Sequence, residues 1–427
     1  MSDNFQVAIA VAIFLVTYAV IISEKIHRTI ISLVGAMLMI LFGIISHETA
    51  LEVIDLNVIG LLVGMMLLVG ITKESGVFEY IAVTIAKISR GRPIPILVAL
   101  SMLTALASGL LDNVTMVLLI VPVTISIARL LDISPVPFVI AEVLLSNIGG
   151  AATLIGDPPN MMIGSAASLS FLDFLVNLGP ILFIIAFAVI GMLVLIFRRQ
   201  LTVTDAKRQQ LMKIDAARQI KDQPLAEKSL LILALVAVGF VTHQFLHLES
   251  ATIAMSGAAL LLIIVRPDIE RVFHHVEWPV IFFFVGLFIL VGSLEVVGVI
   301  EWIAVRVVSL TGGELLPSGL AILWVSAIVS AFVDNIPFTA TMIPIINEIG
   351  QLTALSSLDP LWWCLSLGVC LGGNGTIVGA SANVVAIGML EDNDIHVSFL
   401  RFMAIGFPLT ILALVLSSVY LYFLYLT

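Results

Sequence analysis

The chain has 427 residues, 60% of them hydrophobic and only 11% charged, with a formal net charge of −10. That balance excludes a soluble globular domain, in which about a quarter of residues are charged, and a disordered chain, which needs low hydrophobicity. A mean hydropathy of +1.19, with apolar runs of about 18 residues or more, identifies an all-α polytopic membrane protein.

In chain order the apolar segments run over 5–23, 28–46, 56–72, 93–130, 134–168, 171–197, 229–247, 250–266, 278–294, 316–350, 360–390 and 398–424. The first has no basic residue before it and no A-x-A-like site after it, so it reads as a span and not as a cleaved signal. Phe78, Ile81, Ile85 and Ile88 alternate with Glu79, Lys87 and Arg90 at helical spacing. Ile300, Ile303, Val307 and Leu310 do the same around Glu301 and Arg306. The stretches 77–90 and 299–310 are therefore expected to be interfacial helices.

Segments 93–130 and 316–350 are too long for one crossing at about 1.5 Å per residue. Each is interrupted by a polar cluster, Asp112-Asn113-Val114-Thr115 in one and Asp334-Asn335-Ile336-Pro337 in the other. Each is expected to fold as a re-entrant helical hairpin that enters and leaves on one side. The other ten segments each cross once.

Between 198 and 228 lie Arg198, Arg199, Lys207, Arg208, Lys213, Arg218, Lys221 and Lys228. That basic excess marks the stretch as cytoplasmic. Counting crossings outward from it puts every Lys and Arg inside except Arg306. The expected location is the inner (plasma) membrane, multi-pass, with both termini extracytoplasmic.

The two halves repeat. Gly64, Gly70, Gly76, Glu79, Asp112, Asn113 and Pro122 recur as Gly286, Gly292, Gly298, Glu301, Asp334, Asn335 and Pro344, at a constant offset of 222. Gly149-Gly150, Thr153, Gly156 and Asn160 recur as Gly372-Gly373, Thr376, Gly379 and Asn383, at 223. The expected organisation is a first repeat over 1–197, a cytoplasmic linker over 198–228 and a second repeat over 229–427. Each repeat has five crossings plus one hairpin, and an odd number of crossings forces the halves into opposite orientation. Inverted repeats with broken helices are an architecture of secondary transporters.

Two pairs of clusters can carry chemistry. A hairpin tip at membrane depth supplies free backbone groups, helix-end partial charge and polar side chains. The helix breaks are Asn147-Ile-Gly-Gly-Ala-Ala-Thr-Leu-Ile-Gly-Asp-Pro-Pro-Asn160 and Leu371-Gly-Gly-Asn-Gly-Thr-Ile-Val-Gly-Ala-Ser-Ala-Asn383. Gly and Pro interrupt the helix ladder there, and a packing kink alone would not need the neighbouring Asn, Asp and Thr. The halves differ in places. Asp157 faces Ala380, Pro158 faces Ser381, Glu142 faces Leu365 and Asn374 faces Ala151. Asp112, Glu142, Asp157 and Asp334 are the acids expected at depth, where an ionisable group is costly unless paired or hydrated. No Lys or Arg is expected beside them, which leaves cations or protons as partners. Glu142 also admits a plain position near the inner interface.

Elsewhere the polar residues say less. His243 and His247 are spaced i, i+4, a spacing that metal sites also use, but no third ligand accompanies them. His27, His47, His274, His275 and His396 fall at segment ends. Cys364 and Cys370 lie six apart in one apolar segment, so they cannot pair with each other, and two cysteines exclude a disulfide scaffold. Gly60 and Gly64 form a G-x-x-x-G that serves either internal packing or association. The acidic balance points away from a nucleic-acid partner.

The stretches Leu111-DNVTMVLLIVPVTI-Ser126 and Ala141-EVLLSNIGGAATLIGDPPN-Met161 resemble the ion transporter superfamily, within it the P-protein (pink-eyed dilution) group and its arsenite-permease relatives. The resemblance extends over nearly the whole chain. It implies a homodimer with a scaffold domain and a mobile, elevator-type transport domain, in which two hairpins and two broken helices form the substrate and ion sites. By that resemblance Asp112, Asn113 and Thr115 belong to the inner tip and Asp334, Asn335 and Thr339 to the outer one. Asn160 and Asn383 belong to the breaks, with Asn147, Gly156, Asp157, Asn374, Thr376 and Ser381 around them. Divalent-anion/sodium symporters of the superfamily carry Ser-Asn-Thr at the tips; here Asp takes the Ser position, which disfavours a dicarboxylate unless a cation intervenes.

The expected function is secondary active transport of a small ion or oxyanion, such as arsenite or antimonite efflux, coupled to protons or Na+. The alternatives are a sodium/proton antiporter and a Na+-coupled small-anion (carboxylate) transporter. No cofactor is expected beyond the coupling ion. A membrane-embedded enzyme would need a nucleophile–base pair or a metal cluster at depth, and none is visible.

Overall fold

The computed structural model describes residues 3–23, 25–246 and 248–426. Every regular element among them is helical, with no strand. Seven helices are long and apolar enough to cross a membrane: Phe5–Ser23, Leu56–Glu74, Asn113–Leu131, Gly179–Phe197, Gln223–His243, Trp278–Val296 and Phe399–Leu424. Two sharply bent pairs raise the number to nine: Pro158–Ala167 with Phe171–Asn177, and Val299–Thr311 with Leu315–Ser330, bent by 112° and 119°.

Several apolar segments do not form one helix of full crossing length. Segment 28–46 contains Arg28–Leu41, only 14 residues long, which stops before Gly43 at φ +67°. Segment 250–266 contains Ser250–Val265, 16 residues long, ended by Arg266 in the left-handed region at φ 53°. Both fall short of the roughly 20 residues a straight crossing requires. Segment 134–168 divides into Val136–Gly150 and Pro158–Ala167, and segment 360–390 into Asp359–Gly372 and Ser381–Glu391. The polar clusters at Asp112 and Asp334 each fall where one helix has stopped and another starts: Ser108 to Asn113, and Ser330 to Asn335.

The helices form two groups. In one, Leu56–Glu74 packs on Ser250–Val265 and Arg28–Leu41 packs on Trp278–Val296. Glycine permits both contacts, because a Cβ on Gly64 would lie 2.7 Å from the Ala254 backbone and one on Gly286 2.7 Å from that of Ser32. Gly60 likewise faces Ala251, so the G-x-x-x-G serves packing within the chain. In the other group, Pro93–Ser108 packs on Val136–Gly150 and Leu315–Ser330 on Asp359–Gly372. Asn113–Leu131 lies against Ser381–Glu391, and Asn335–Leu352 against Pro158–Ala167. Every residue of Val136–Gly150 is buried, including the polar Glu142, Ser146 and Asn147, so its polar side chains must find partners inside the protein. The amphipathic stretches form the helices Val77–Ile88 and Val299–Thr311. The basic stretch 198–228 holds the short helix Asp205–Met212 and binds Val77–Ile88 through Lys87 Nζ on the Ile214 carbonyl, at 2.5 Å.

Candidate functional site

Each tip is built by an N-cap. Asp112 ends the first turn in extended backbone and accepts from Thr115 N at 3.0 Å, with the Thr115 hydroxyl on its second oxygen. Asp334 accepts from Ile336 N at 3.0 Å. A carboxylate in this position satisfies orphan amides and meets the positive end of the helix. The next residue then points inward, and Asn113 and Asn335 are both buried.

From Asn113 a chain of carboxamides crosses the site. Asn113 donates to Asn147 Oδ1 at 3.1 Å. Asn147 donates to Asn374 Oδ1 at 2.9 Å and to Asn383 Oδ1 at 3.0 Å. Asn374 donates to the Leu144 carbonyl at 3.2 Å. The first tip is thereby joined to the second break. Asn113 Oδ1 is buried without a protein partner, a free acceptor at the start of the chain.

The two breaks are held alike. Asn160 donates to the carbonyls of Ala151 and Thr153 at 3.0 and 2.9 Å, and more weakly to that of Gly150. Asn383 donates to those of Gly373 and Thr376, both at 2.8 Å. Thr153 and Thr376 reach back to the carbonyls of Gly109 and Ala331 in the tip turns. Ser108 donates to the Ser146 carbonyl at 2.8 Å and Ser330 to that of Val369 at 2.7 Å. Apart from the Asn160–Ala151 bond, these pairs keep the 222 and 223 offsets of the sequence. Gly156 and Gly379 let each break loop touch its hairpin arm: an added Cβ would lie 2.6 Å from the Ser108 carbonyl in one and 2.9 Å from that of Ser330 in the other.

The acids differ in their surroundings. Asp157 is buried and caps no amide of its own helix; Asn335 donates to both of its oxygens, at 3.3 Å. It lies close enough to Asp334 and Asp112 for their charges to act on it. Glu142 is buried against the helix Asn113–Leu131. Its Oε1 accepts from Thr124 at 2.6 Å, and Oε2 has no protein partner. Asp334 corrects the expectation that no basic residue reaches these acids. Arg28 Nη1 stands 2.7 Å from its Oδ2, and Ser381 donates to the same oxygen at 2.7 Å. The sequence places Arg28 at the cytoplasmic start of segment 28–46, and its long side chain reaches beyond that end.

Carboxylate and carboxamide oxygens converging from two tips and two breaks make a hard-donor set of the kind that binds alkali and alkaline-earth cations. Among the described residues no group of three or more His, Cys, Asp or Glu is placed to hold a metal ion.

Comparison with known proteins bears on what such a site serves. A family model described as citrate transporter matches residues 18–368. The chain belongs to this family. A 46 kDa membrane protein of Mycobacterium leprae is 41% identical over 98% of this chain and 99% of its own length. An uncharacterized transporter of Mycobacterium tuberculosis is 40% identical, over 98% of each chain. The P protein of Sus scrofa is 33% identical over 98% of this chain and 60% of its own length, in keeping with the resemblance of the tip and break motifs. The crystal structure of the Alcanivorax borkumensis YdaH transporter shares the fold, with a TM-score of 0.60 at 15% identity over 98% of this chain and 97% of that one. This citrate-family protein is thus a membrane transporter and not an enzyme.

Other residues of the citrate-family chain fall outside the convergence or were not foreseen. Thr339 donates to the Asn335 carbonyl of its own helix at 2.7 Å and bonds none of the other site side chains. His243 bonds the backbone at Phe171 N and Leu248 O, and His247 lies outside the described residues. Ser366, unflagged by any motif, donates to Asn160 Oδ1 at 2.6 Å. Tyr18 donates to the Pro337 carbonyl at 2.7 Å and meets the Thr341 hydroxyl at 3.0 Å. A lone phenol inside the first apolar segment was the available signal. Ser108 and Ser330 were visible as a pair at the 222 offset.

Proposed function

We propose that the protein is a secondary active transporter carrying a small carboxylate, or an oxyacid such as arsenite that is neutral near pH 7, together with Na+ or protons. The observation that carries this reading is the joined network Asn113–Asn147–Asn374–Asn383, bordered by Asp112, Asp157 and Asp334. Amide groups offer both donors and acceptors to a small polar cargo. Arg28 pairs with Asp334, but Asp112 and Asp157 repel an anion unless a cation or proton neutralises them, so the charge of the site favours a coupling ion. The family description favours a carboxylate; the likeness to the P protein leaves the oxyacid in play.

The matched hydrogen bonds at constant offset support inverted repeats over 1–197 and 229–427, joined by a cytoplasmic linker over 198–228. In this reading the group of helices bearing tips and breaks moves as an elevator against the other group, in a homodimer of the plasma membrane with both termini outside. The test is uptake of labelled citrate and of arsenite into proteoliposomes under an imposed Na+ or proton gradient. Saturable uptake of one cargo that collapses with the gradient is expected. If neither moves under either gradient, the reading fails.

Sodium/proton antiport is the second reading. Glu142 favours it, as a dry carboxyl with one oxygen on Thr124 and the other free for a proton. Na+-driven proton movement in the absence of any anion separates it from the first.

A further inference from the structure

The second tip already contains a cation, supplied by the chain. Arg28 begins the helix Arg28–Leu41 and lies over the Phe283 ring, 5.1 Å from its centroid. From there its Nη1 crosses to the other helix group and makes a triangle of 2.7 Å contacts with Asp334 Oδ2 and Ser381 Oγ, which also bond each other. The other carboxylate oxygen of Asp334 is used in capping its helix. The guanidinium therefore stands where a carboxylate and a hydroxyl would otherwise hold a small ion.

Among the described residues no Lys or Arg pairs with the first tip's Asp112. Position 250, the counterpart of Arg28 at the 222 offset, is Ser, and position 158, the counterpart of Ser381, is Pro. Asp112 is closed instead on Thr115. The two tips are thus inequivalent in charge: one is neutralised internally and the other is not.

Arg28 is also able to leave. A cavity of about 260 Å³, lined by Ile21, His27, Arg28, Asp334, Ser381 and Val384 among others, opens beside the pair, and the Arg28 side chain is 26% exposed. Glu277, at the head of the helix that carries Phe283, is near enough for the charges of Asp112, Arg28 and Lys73 to act on it. A displaced guanidinium therefore stays within reach of the field of a second carboxylate in its own helix group.

We propose that Arg28 is a tethered cation that latches the second tip to the scaffold helices, and that a monovalent cation must displace it from Asp334 before the two groups can move apart. This rests on the reading of a cation-coupled transporter. A ligand shifts such an equilibrium only by binding one state better; here an incoming ion and Arg28 compete for the same oxygen. The latch also implies that the second tip takes its ion only in exchange for Arg28.

The test reads the latch without cargo. Val384→Cys, in the full chain in lipid nanodiscs, is alkylated with a water-soluble maleimide; native Cys364 and Cys370 are buried and give the background. Arg28→Gln is expected to change the alkylation rate by about fivefold or more. Asp334→Asn should give the same change, and the double variant no further change, because both break one contact. NaCl in place of N-methylglucamine chloride should move the unsubstituted pair toward the Arg28→Gln rate and leave Arg28→Gln unmoved. If Arg28→Gln does not fold, Ser381→Ala is expected to give a smaller change of the same sign. Equal rates with and without Arg28, additive single variants, or a Na+ response unaffected by Arg28→Gln overturn the latch. Unchanged labelling with intact uptake overturns the latch alone; shifted labelling with no uptake of any cargo overturns the transport reading alone.

Discussion

Asn147 splits its amide between Asn374 and Asn383, at 2.9 and 3.0 Å, while its own oxygen accepts from Asn113. One buried side chain thereby links the first tip, the helix before the first break and the second break. No other residue at its offset could replace it, since position 370 is Cys.

Asn147→Ala is expected to leave three buried polar groups without their partner. Each costs about 1–3 kcal/mol when unsatisfied, so a clear fall in thermal stability should accompany loss of uptake. A denaturation midpoint measured in detergent beside a flux assay checks both. Unchanged stability would show that the network contributes nothing to holding the breaks together.

Asp112→Asn separates charge from fold. Asn caps a helix about as well as Asp, so stability should change by no more than about 0.5 kcal/mol, while coupled transport is abolished. Asp112→Ala should lose about 1 kcal/mol as well, through the cap. Expression and melting temperature of the two variants, set against their flux, test the assignment. Wild-type flux in Asp112→Asn would sink the role of the first tip.

Gly156→Ala and Gly379→Ala should both disable the protein. The added methyl meets backbone, at 2.6 Å from the Gly150 and Ser108 carbonyls in the first and 2.7 Å from the Gly373 carbonyl in the second. Backbone cannot swing aside as a side chain can, so a destabilisation of about 1–3 kcal/mol is expected. Gly191→Ala, with nothing within 4 Å, is the control and should be neutral. Equal melting temperatures in all three would contradict the close approach.

Glu142→Gln keeps an acceptor for Thr124 and removes the proton. Under the antiport reading it should abolish Na+-driven proton movement; under anion transport with Na+ it should leave uptake at neutral pH largely intact. Paired measurements on the same vesicles decide between them. Thr124→Val, which strips the carboxyl of its one bond, should lower stability by about 1 kcal/mol in either case.

Most of the site positions were legible because their signals are local. Asp112 and Asp334 interrupt apolar runs, and an interruption shows in any window of hydropathy. Gly150, Gly156, Pro158 and Pro159 stop a helix through their own backbone chemistry. The 223 offset then brought Asn160 and Asn383 into register without any knowledge of contacts. What stayed hidden was direction: nothing in the sequence says that the Thr339 hydroxyl turns back to its own helix, or that Ser366 faces Asn160. One length was also misjudged, since Arg28–Leu41 stops just before the positive-φ Gly43, inside the apolar stretch 28–46.

The sequence by itself determined that this is a helical membrane protein, where its helices break, and which acids lie among apolar residues. Those are properties of composition and of neighbours along the chain. Only the tertiary structure decided that Asp334 has a guanidinium partner while, among the described residues, Asp112 has none, and that the carboxamides form one connected chain. Arg28 and Asp334 are 306 residues apart, and Asn147 and Asn383 are 236 apart. Such pairings are set by how helices pack, and the periodicity of a single segment carries no trace of them.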